Sequence, residues 1–257
     1  MTVLVTNDDG IDSPGLHELA RAVIRAGHEV VVAAPEQNMS GAGASVGYFG
    51  QGTRVGCRPV PLPDIDAPVF AVDGPPGLIV LLARLGGLGG TVDSVASGIN
   101  PGWNTGRSVL HSGTIGAALT AANGGWSGVA VSIADAPQHW RTAADLAAAA
   151  LDWVLAEPAG TVLNLNVPDV APGDLRGVRW ATLANPPAVR ADISAAGDGY
   201  VELDLLLNEQ PVQEGSDTGL VRQGYVAVTL LNGVSEAAVR PVAEHLEEHP
   251  AAGIRPS

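Results

Sequence analysis

The chain has no lysine; all 13 of its basic residues are arginine. That excludes Schiff-base chemistry and a phosphate loop of the Walker type, both of which need a lysine side chain. Cysteine is nearly absent as well. The single thiol, Cys57, rules out intramolecular disulfides and cysteine-cluster zinc sites. No apolar run reaches the roughly 18 residues of a membrane span, and no secretory leader is read ahead of the first apolar segment, so a soluble cytoplasmic protein is expected. Basic charge is outweighed by 27 acidic residues, for a net charge of -14. So acidic a surface argues against a nucleic-acid duplex or an anionic membrane as the main partner. A phosphate-bearing ligand must then be small and be met locally.

What the chain does have is a buried opening. Residues 2–6 are β-branched and aliphatic with no polar start, the pattern of a parallel strand covered on both faces. They run directly into Asn7, Asp8, Asp9 and Gly10. In an open α/β sheet the crevice beyond the carboxyl ends of the strands is where ligands sit. Adjacent carboxylates repel each other and cost desolvation when buried together, which a divalent cation would offset. Asp-Gly is also a common turn dipeptide, so a metal site and a plain turn are both open at this point.

At 257 residues, 46% hydrophobic and 16% charged, the chain can bury a large core. One α/β domain with an appended subdomain fits that length, without repeats or low-complexity tracts. Helical spacing over 13–26, with Pro14 early and Gly27 as a stop, followed by an apolar run over 29–34, makes a right-handed βαβ opening. Residues 46–71 are irregular and rich in Gly and Pro, and read as short strands and loops. Further on, 76–85 reads as a helix, 92–96 as a strand ending in Ser97-Gly-Ile-Asn100, 112–123 as a helix, and 129–134 as a strand. An Ala-rich helix over 141–155, with Leu146, Trp153 and Val154 toward the core, and a strand over 161–167 complete a doubly wound, mostly parallel sheet. Past Pro168 the pattern changes: 178–183, 200–207 and 224–231 read as strands and 235–249 as a terminal helix. The expected division is a catalytic core over 1–183 and an oligomerisation segment over 184–257, made of an extended arm or hairpin, a returning strand and that helix.

Three strand ends send loops toward one crevice, carrying Asp8 and Asp9, Ser40, and Asn100 with Asn104. Two carboxylates, a hydroxyl and carboxamides form an all-oxygen set that suits Mg2+ or Mn2+ and does not suit zinc. Ser112, Gly113 and Thr114 open a helix, whose free N–H groups and positive dipole end can bind an anion; a plain Ser or Thr N-cap is the alternative. His111 is read as an acid or base, or as hydrogen-bonding support. Trp103 is read as a stacking residue on the rim, or as an inward loop anchor. His245 and His249 have the spacing of a zinc pair but no third ligand. Cys57 has no neighbour that would activate it.

Val-Thr-Asn-Asp-Asp-Gly10, Ser40-Gly41, Ser97-Gly-Ile-Asn100 with Asn104, His111-Ser-Gly-Thr114, Leu163-Asn-Leu-Asn-Val-Pro168, Ser216-Asp217 and Gly224-Tyr-Val226 together resemble the SurE family of survival proteins. The resemblance implies a Rossmann-like fold with a swapped arm, a homodimer or homotetramer, and a nucleoside monophosphate phosphatase using one divalent cation per subunit. It also implies metal ligation by Asp8, Asp9, Ser40 and Asn100. Asp8, Asp9 and Asn100 are accordingly expected to be catalytic, and Asn7, Gly41, Asn104, Ser112, Gly113 and Thr114 to meet the substrate phosphate. The chain departs from the family pattern at Gln37, Met39, Leu78 and Ser108, the last beside Arg107. These positions surround the metal set, so phosphoester hydrolysis is expected more firmly than any one nucleotide.

Two other enzyme classes fail on particular residues. A dinucleotide-binding dehydrogenase needs G-x-G-x-x-G after its first strand, and the Gly-rich stretch 86–90 instead follows a helix and precedes a strand. A zinc deacetylase would need a histidine where Asn7 stands. A SurE-like protein that binds a ligand or acts as a scaffold without turnover is the rival from outside the enzymes.

Overall fold

The computed structural model describes residues 1–48, 50–185, 189–207 and 211–235, among which nine strands form one sheet. Strand β1 (Thr2–Thr6) lies parallel to β2 (Glu29–Pro35), and helix α1 (Pro14–Arg25) crosses between them. Pro14 sits where a helix needs no N–H, and Leu16, Leu19, Ala20 and Val23 give α1 its buried face. Within the Gly/Pro-rich stretch two short strands extend the sheet: β3 (Cys57–Pro59) pairs antiparallel with β4 (Val69–Val72), and β4 pairs parallel with β2. On the other side of β1 come β5 (Ser94–Pro101), β6 (Ser127–Ile133) and β7 (Val162–Val167), all parallel. With β8 (Val178–Trp180) and β11 (Val226–Leu231), the sheet order is β3-β4-β2-β1-β5-β6-β7-β11-β8. The chain leaves β1 toward β2 and later returns to β1's other side through β5. That reversal opens a crevice at the carboxyl ends of β1 and β5.

Alternate strand residues divide the core between two layers. Val3 and Val5 face α1 and α4 (Trp140–Ala156), while Leu4 faces α2 (Pro76–Arg84) and α3 (Gly113–Asn123). The expected alternation of strands and helices is therefore present, as a mixed, mostly parallel sheet covered on both faces. In α4 the inward face is a stripe of small residues, Ala143, Ala144, Ala147 and Ala148, followed by Leu151 and Val154. Trp153, expected toward the core, is 39% exposed and meets the exposed Trp180 edge-on, with ring centroids 6.0 Å apart. Alanines bring α4 so near the sheet that an indole finds room only at its margin.

Strand β5 runs further than its sequence suggested. Ser97 pairs with Ala130 but Asn100 pairs with Ser132, so β5 carries one extra residue, a bulge that re-aims Asn100. Gly98 makes the bulge feasible: its φ is 133°, and a Cβ there would lie 2.4 Å from the Val131 carbonyl oxygen. Three further elements had no sequence expectation, the 3-10 segments Gly106–His111 and Pro172–Asp174 and helix α5 (Asp217–Arg222). The expected arm is a separate hairpin of β9 (Val189–Gly197) and β10 (Tyr200–Leu207). After it the chain returns as β11, antiparallel to β7. The expected terminal helix, with His245 and His249, lies outside the described residues. No helix among the described residues is long and apolar enough to cross a membrane.

Leu4 is fully buried at the centre of the sheet. Leu4→Ala is expected to lower stability by about 2–5 kcal/mol, read from the shift in the urea midpoint. A loss well under about 1 kcal/mol would contradict the packing of this face.

Candidate functional site

Asp8 follows β1 and is almost completely buried. One carboxylate oxygen accepts the Gly113 N–H at 3.1 Å; the other accepts the Thr114 hydroxyl at 2.5 Å. Its peptide oxygen accepts the Met39 N–H at 2.7 Å. One residue thus ties the end of β1 to the first turn of α3 and to the loop after β2. Gly113 is required by this approach, because a Cβ there would stand 2.6 Å from the Asp8 Cβ.

This arrangement changes the part expected of Ser112, Gly113 and Thr114. The Ser112 hydroxyl accepts the Ile115 N–H at 3.2 Å, an ordinary N-cap, while Gly113 and Thr114 donate to Asp8. The anion already seated at this helix end is the chain's own carboxylate. Ser112 is thus the N-cap of α3.

Asp9, next in the chain, is only partly exposed, and its carboxyl is pushed from 3.8 up to about 7 by burial and by the neighbouring charge of Asp8. Its Oδ2 is buried without a hydrogen-bond partner among the described residues. A carboxylate so placed needs a positive partner. Asn100 approaches from β5. Its amide donates to the Gly102 carbonyl at 2.6 Å, which leaves its oxygen 3.4 Å from the Thr114 hydroxyl and therefore beside Asp8. Asp8, Asn100 and Thr114 are thus brought together from β1, β5 and α3.

Ser40 and Gly41 are exposed on the loop after β2. That loop is pinned by Met39 to Asp8 and, at its far end, by the Gly43 N–H to the His111 carbonyl at 3.1 Å. The remaining expected residues are committed inside the protein. Asn7 donates to the Gly10 carbonyl at 3.1 Å and accepts the Gly10 N–H at 3.2 Å, so its carboxamide is engaged in shaping the turn. Asn104 donates to the Ser132 hydroxyl at 2.8 Å, and its carbonyl accepts the amides of Asn164 and Asn166 at 2.9 and 3.0 Å. The physical reason is the same for both: a buried amide finds its nearest partner in the backbone or the sheet. Trp103 is the inward anchor, donating to the Val167 carbonyl at 2.8 Å. His111 is exposed, Leu78 is buried, and the Ser108 hydroxyl donates to the Thr105 carbonyl at 2.7 Å. Burial pushes the Cys57 thiol up, away from reactivity.

Among the described residues no cluster of three or more His, Cys, Asp or Glu gathers to hold a metal. The set at the β1–β5 crevice has two carboxylates, its other oxygens coming from neutral groups. Oxygen donors alone, one of them a buried carboxylate oxygen lacking a partner among the described residues, fit a hard divalent cation.

Such a fold and crevice define a Rossmann-like α/β protein with oxygen-donor side chains at its switch point. Residues 3–188 match the family model described as "Survival protein SurE". The chain belongs to the SurE family. It is 38% identical over 239 residues to the 5'-nucleotidase SurE of Xanthomonas campestris pv. campestris (strain B100), covering 89% of this chain and 88% of that one. It is 36% identical over 234 residues to the 5'-nucleotidase SurE of Marinomonas sp. (strain MWYL1), covering 89% and 90%. The crystal structure of the SurE protein from Aquifex aeolicus matches with a TM-score of 0.77 at 28% identity, over 96% of this chain and all of that one.

A folded-state value of about 7 for Asp9 lies above its ordinary 3.8, so the folded protein holds that proton more tightly than the unfolded chain does. The resulting stability is complete at low pH and is lost as pH rises from about 4 to about 7. A cation takes only the ionised form. Mg2+ or Mn2+ is therefore expected to raise Tm more at about pH 8 than at about pH 5, measured by calorimetry on dialysed protein. Equal shifts at the two pH values would remove Asp9 from the cation's partners.

Proposed function

We propose that this chain is a phosphoric monoester hydrolase acting on a nucleoside 5'- or 3'-monophosphate or a related small phosphorylated metabolite, with one divalent cation, Mg2+ or Mn2+, per subunit. The observation that carries the reading is the buried Oδ2 of Asp9, without a partner among the described residues, beside Asp8 at the β1–β5 crevice, in a chain whose relatives are named 5'-nucleotidases. Asp8, Asp9, Ser40 and Asn100 would hold the cation. When bound, such a cation neutralises phosphoryl charge and lowers the pKa of a water.

The chain's own groups set up the rest. The Thr114 hydroxyl and the Gly113 N–H fix both oxygens of Asp8 and so orient its carboxylate. The Asn100 amide is anchored on Gly102, which settles which end of the carboxamide faces Asp8. Closing the first turn, Asn7 presents Asp8 and Asp9 in succession at the mouth of the crevice. Ser40 and Gly41 contribute the open side, where a substrate can enter. With a net charge of -14, the protein as a whole repels phosphate, so capture depends on the charge held locally in this crevice.

We extend the reading to self-association as a homodimer or homotetramer. The hairpin exposes Ile193, Tyr200, Val201 and Leu203, each more than half accessible, away from the core. A strand pair this apolar offers its face to a second copy.

Two measurements test the function. Dialysed protein reconstituted with Mg2+ or Mn2+ is expected to hydrolyse members of a panel of nucleoside monophosphates, sugar phosphates and p-nitrophenyl phosphate, and EDTA to abolish the turnover. Asp8→Asn and Asp9→Asn are each expected to cut turnover by about a hundredfold or more with the circular dichroism unchanged. Tight binding of a panel member without turnover would favour the ligand-binding rival instead. For the assembly, sedimentation should give a mass of two or four chains, and Leu203→Asp should lower it; a monomer in the wild type rejects the hairpin's role.

A further inference from the structure

The loop that carries Asn104 is hung between two buried acids. Asp8 holds its far end at α3, as described above. Its near end, where the 3-10 segment begins at Gly106, is held by Asp217, the first residue of α5, which is completely buried. One Asp217 oxygen accepts the Gly106 N–H at 2.8 Å; the other accepts the N–H groups of Ala184 at 2.9 Å and Thr218 at 2.7 Å. Thr105, at the capping position of the 3-10 segment, makes no side-chain cap of its own. Its hydroxyl accepts from the Thr218 hydroxyl at 2.9 Å. The segment is thus capped from outside, by a residue 111 positions away in sequence.

The donors that meet at Asp217 come from different parts of the chain. Ala184 leads into the hairpin and residues 213–217 lead out of it. These two feet are also joined directly, by the Thr182 N–H to the Gly215 carbonyl at 3.2 Å and the Asp217 N–H to the Thr182 carbonyl at 2.9 Å. A single carboxylate therefore links both feet of the β9–β10 arm to the loop between Asn100 and Ser112. A buried carboxyl takes three N–H donors only where its partners are held in place, and here the loop is the partner that would otherwise have no cap.

We infer that Asp217 is a positioning residue for the crevice: it transmits the seating of the arm's base to the Asn100–Gly106 loop and so holds Asn100 and Asn104 in register with Asp8. The inference rests on the phosphatase reading for its kinetic consequence, although the tie between loop and arm stands without it.

Asp217→Asn separates the two halves of the contact. The retained oxygen goes where two donors converge, at Ala184 and Thr218, and the new NH2 then faces the Gly106 N–H, donor against donor. The arm's feet stay joined while the loop is released. Ser216→Ala is the control. It removes the α5 cap, in which the Ser216 hydroxyl accepts the Gly219 N–H at 3.2 Å, and the bond that hydroxyl donates to the Gln213 carbonyl at 2.6 Å, while leaving the Asp217 carboxylate and its bond to Gly106 in place. Hydrogen exchange of the amides over 102–107 is expected to accelerate in Asp217→Asn and to match wild type in Ser216→Ala. Steady-state assays at saturating Mn2+ should show kcat about ten- to a hundredfold lower in Asp217→Asn, with Mn2+ bound more weakly because Asn100 is among its proposed holders. Ser216→Ala should keep wild-type kcat even where its Tm falls as far. Equal kinetic losses in both variants, or unchanged exchange over 102–107 in Asp217→Asn, would overturn the inference. If the wild type itself shows no turnover, the phosphatase reading fails, and the exchange comparison alone decides the tie.

Discussion

Asp8 places a buried negative charge against the first turn of α3, and most of the crevice is arranged to make that tolerable. Gly113 lacks a side chain so the carboxylate can come close, Thr114 supplies a hydroxyl, and the helix contributes the positive end of its dipole. Asp9, one residue on, has no such support and is driven toward its neutral form. The two neighbours therefore differ in what they can do: one is held at both oxygens by the protein, the other waits for a positive partner. A pair with unequal environments is the common way in which adjacent carboxylates come to carry separate roles.

How far the sequence disclosed this depends on the range of the interactions. β1, α1 and β2 were legible because their signal is local, an apolar period ended by Gly or Pro. Asp8 and Asp9 were legible because a strand end in a doubly wound sheet marks the crevice in advance. Asn100 was found, yet the bulge that aims it was not, since nothing in Ser-Gly-Ile-Asn states which residue is unpaired. Trp153 was misread because helical spacing places it on a plausible face, while the alanines that decide how closely α4 packs give no comparable signal. Asp217 lay in a quoted motif without a role. Its partners, Gly106 and Ala184, are remote in sequence, and a carboxylate that caps a distant turn looks like any helix-opening Asp.

The inward commitment of Asn7, Asn104, Ser112, Gly113 and Thr114 has one physical theme. A crevice built from polar residues must satisfy them before a substrate arrives, or the empty state would be costly. Groups that a motif marks as a set therefore split into those that hold the frame and those left facing outward. Here the frame is large: the turn at Gly10, the cap of α3 and the amides of Asn164 and Asn166 under the Asn104 loop all belong to it.

The return of β11 beside β7 bears on how the protein is made. A ribosome releases chain from the amino terminus onward, so β7 emerges well before the strand that covers its outer side. Until the hairpin has been synthesised and β11 follows it, β7 presents a bare row of peptide groups flanked by apolar side chains, the kind of border that invites pairing with other nascent chains. Translation halted anywhere within the hairpin would therefore release a product whose sheet cannot be closed, one for chaperones and proteases to deal with.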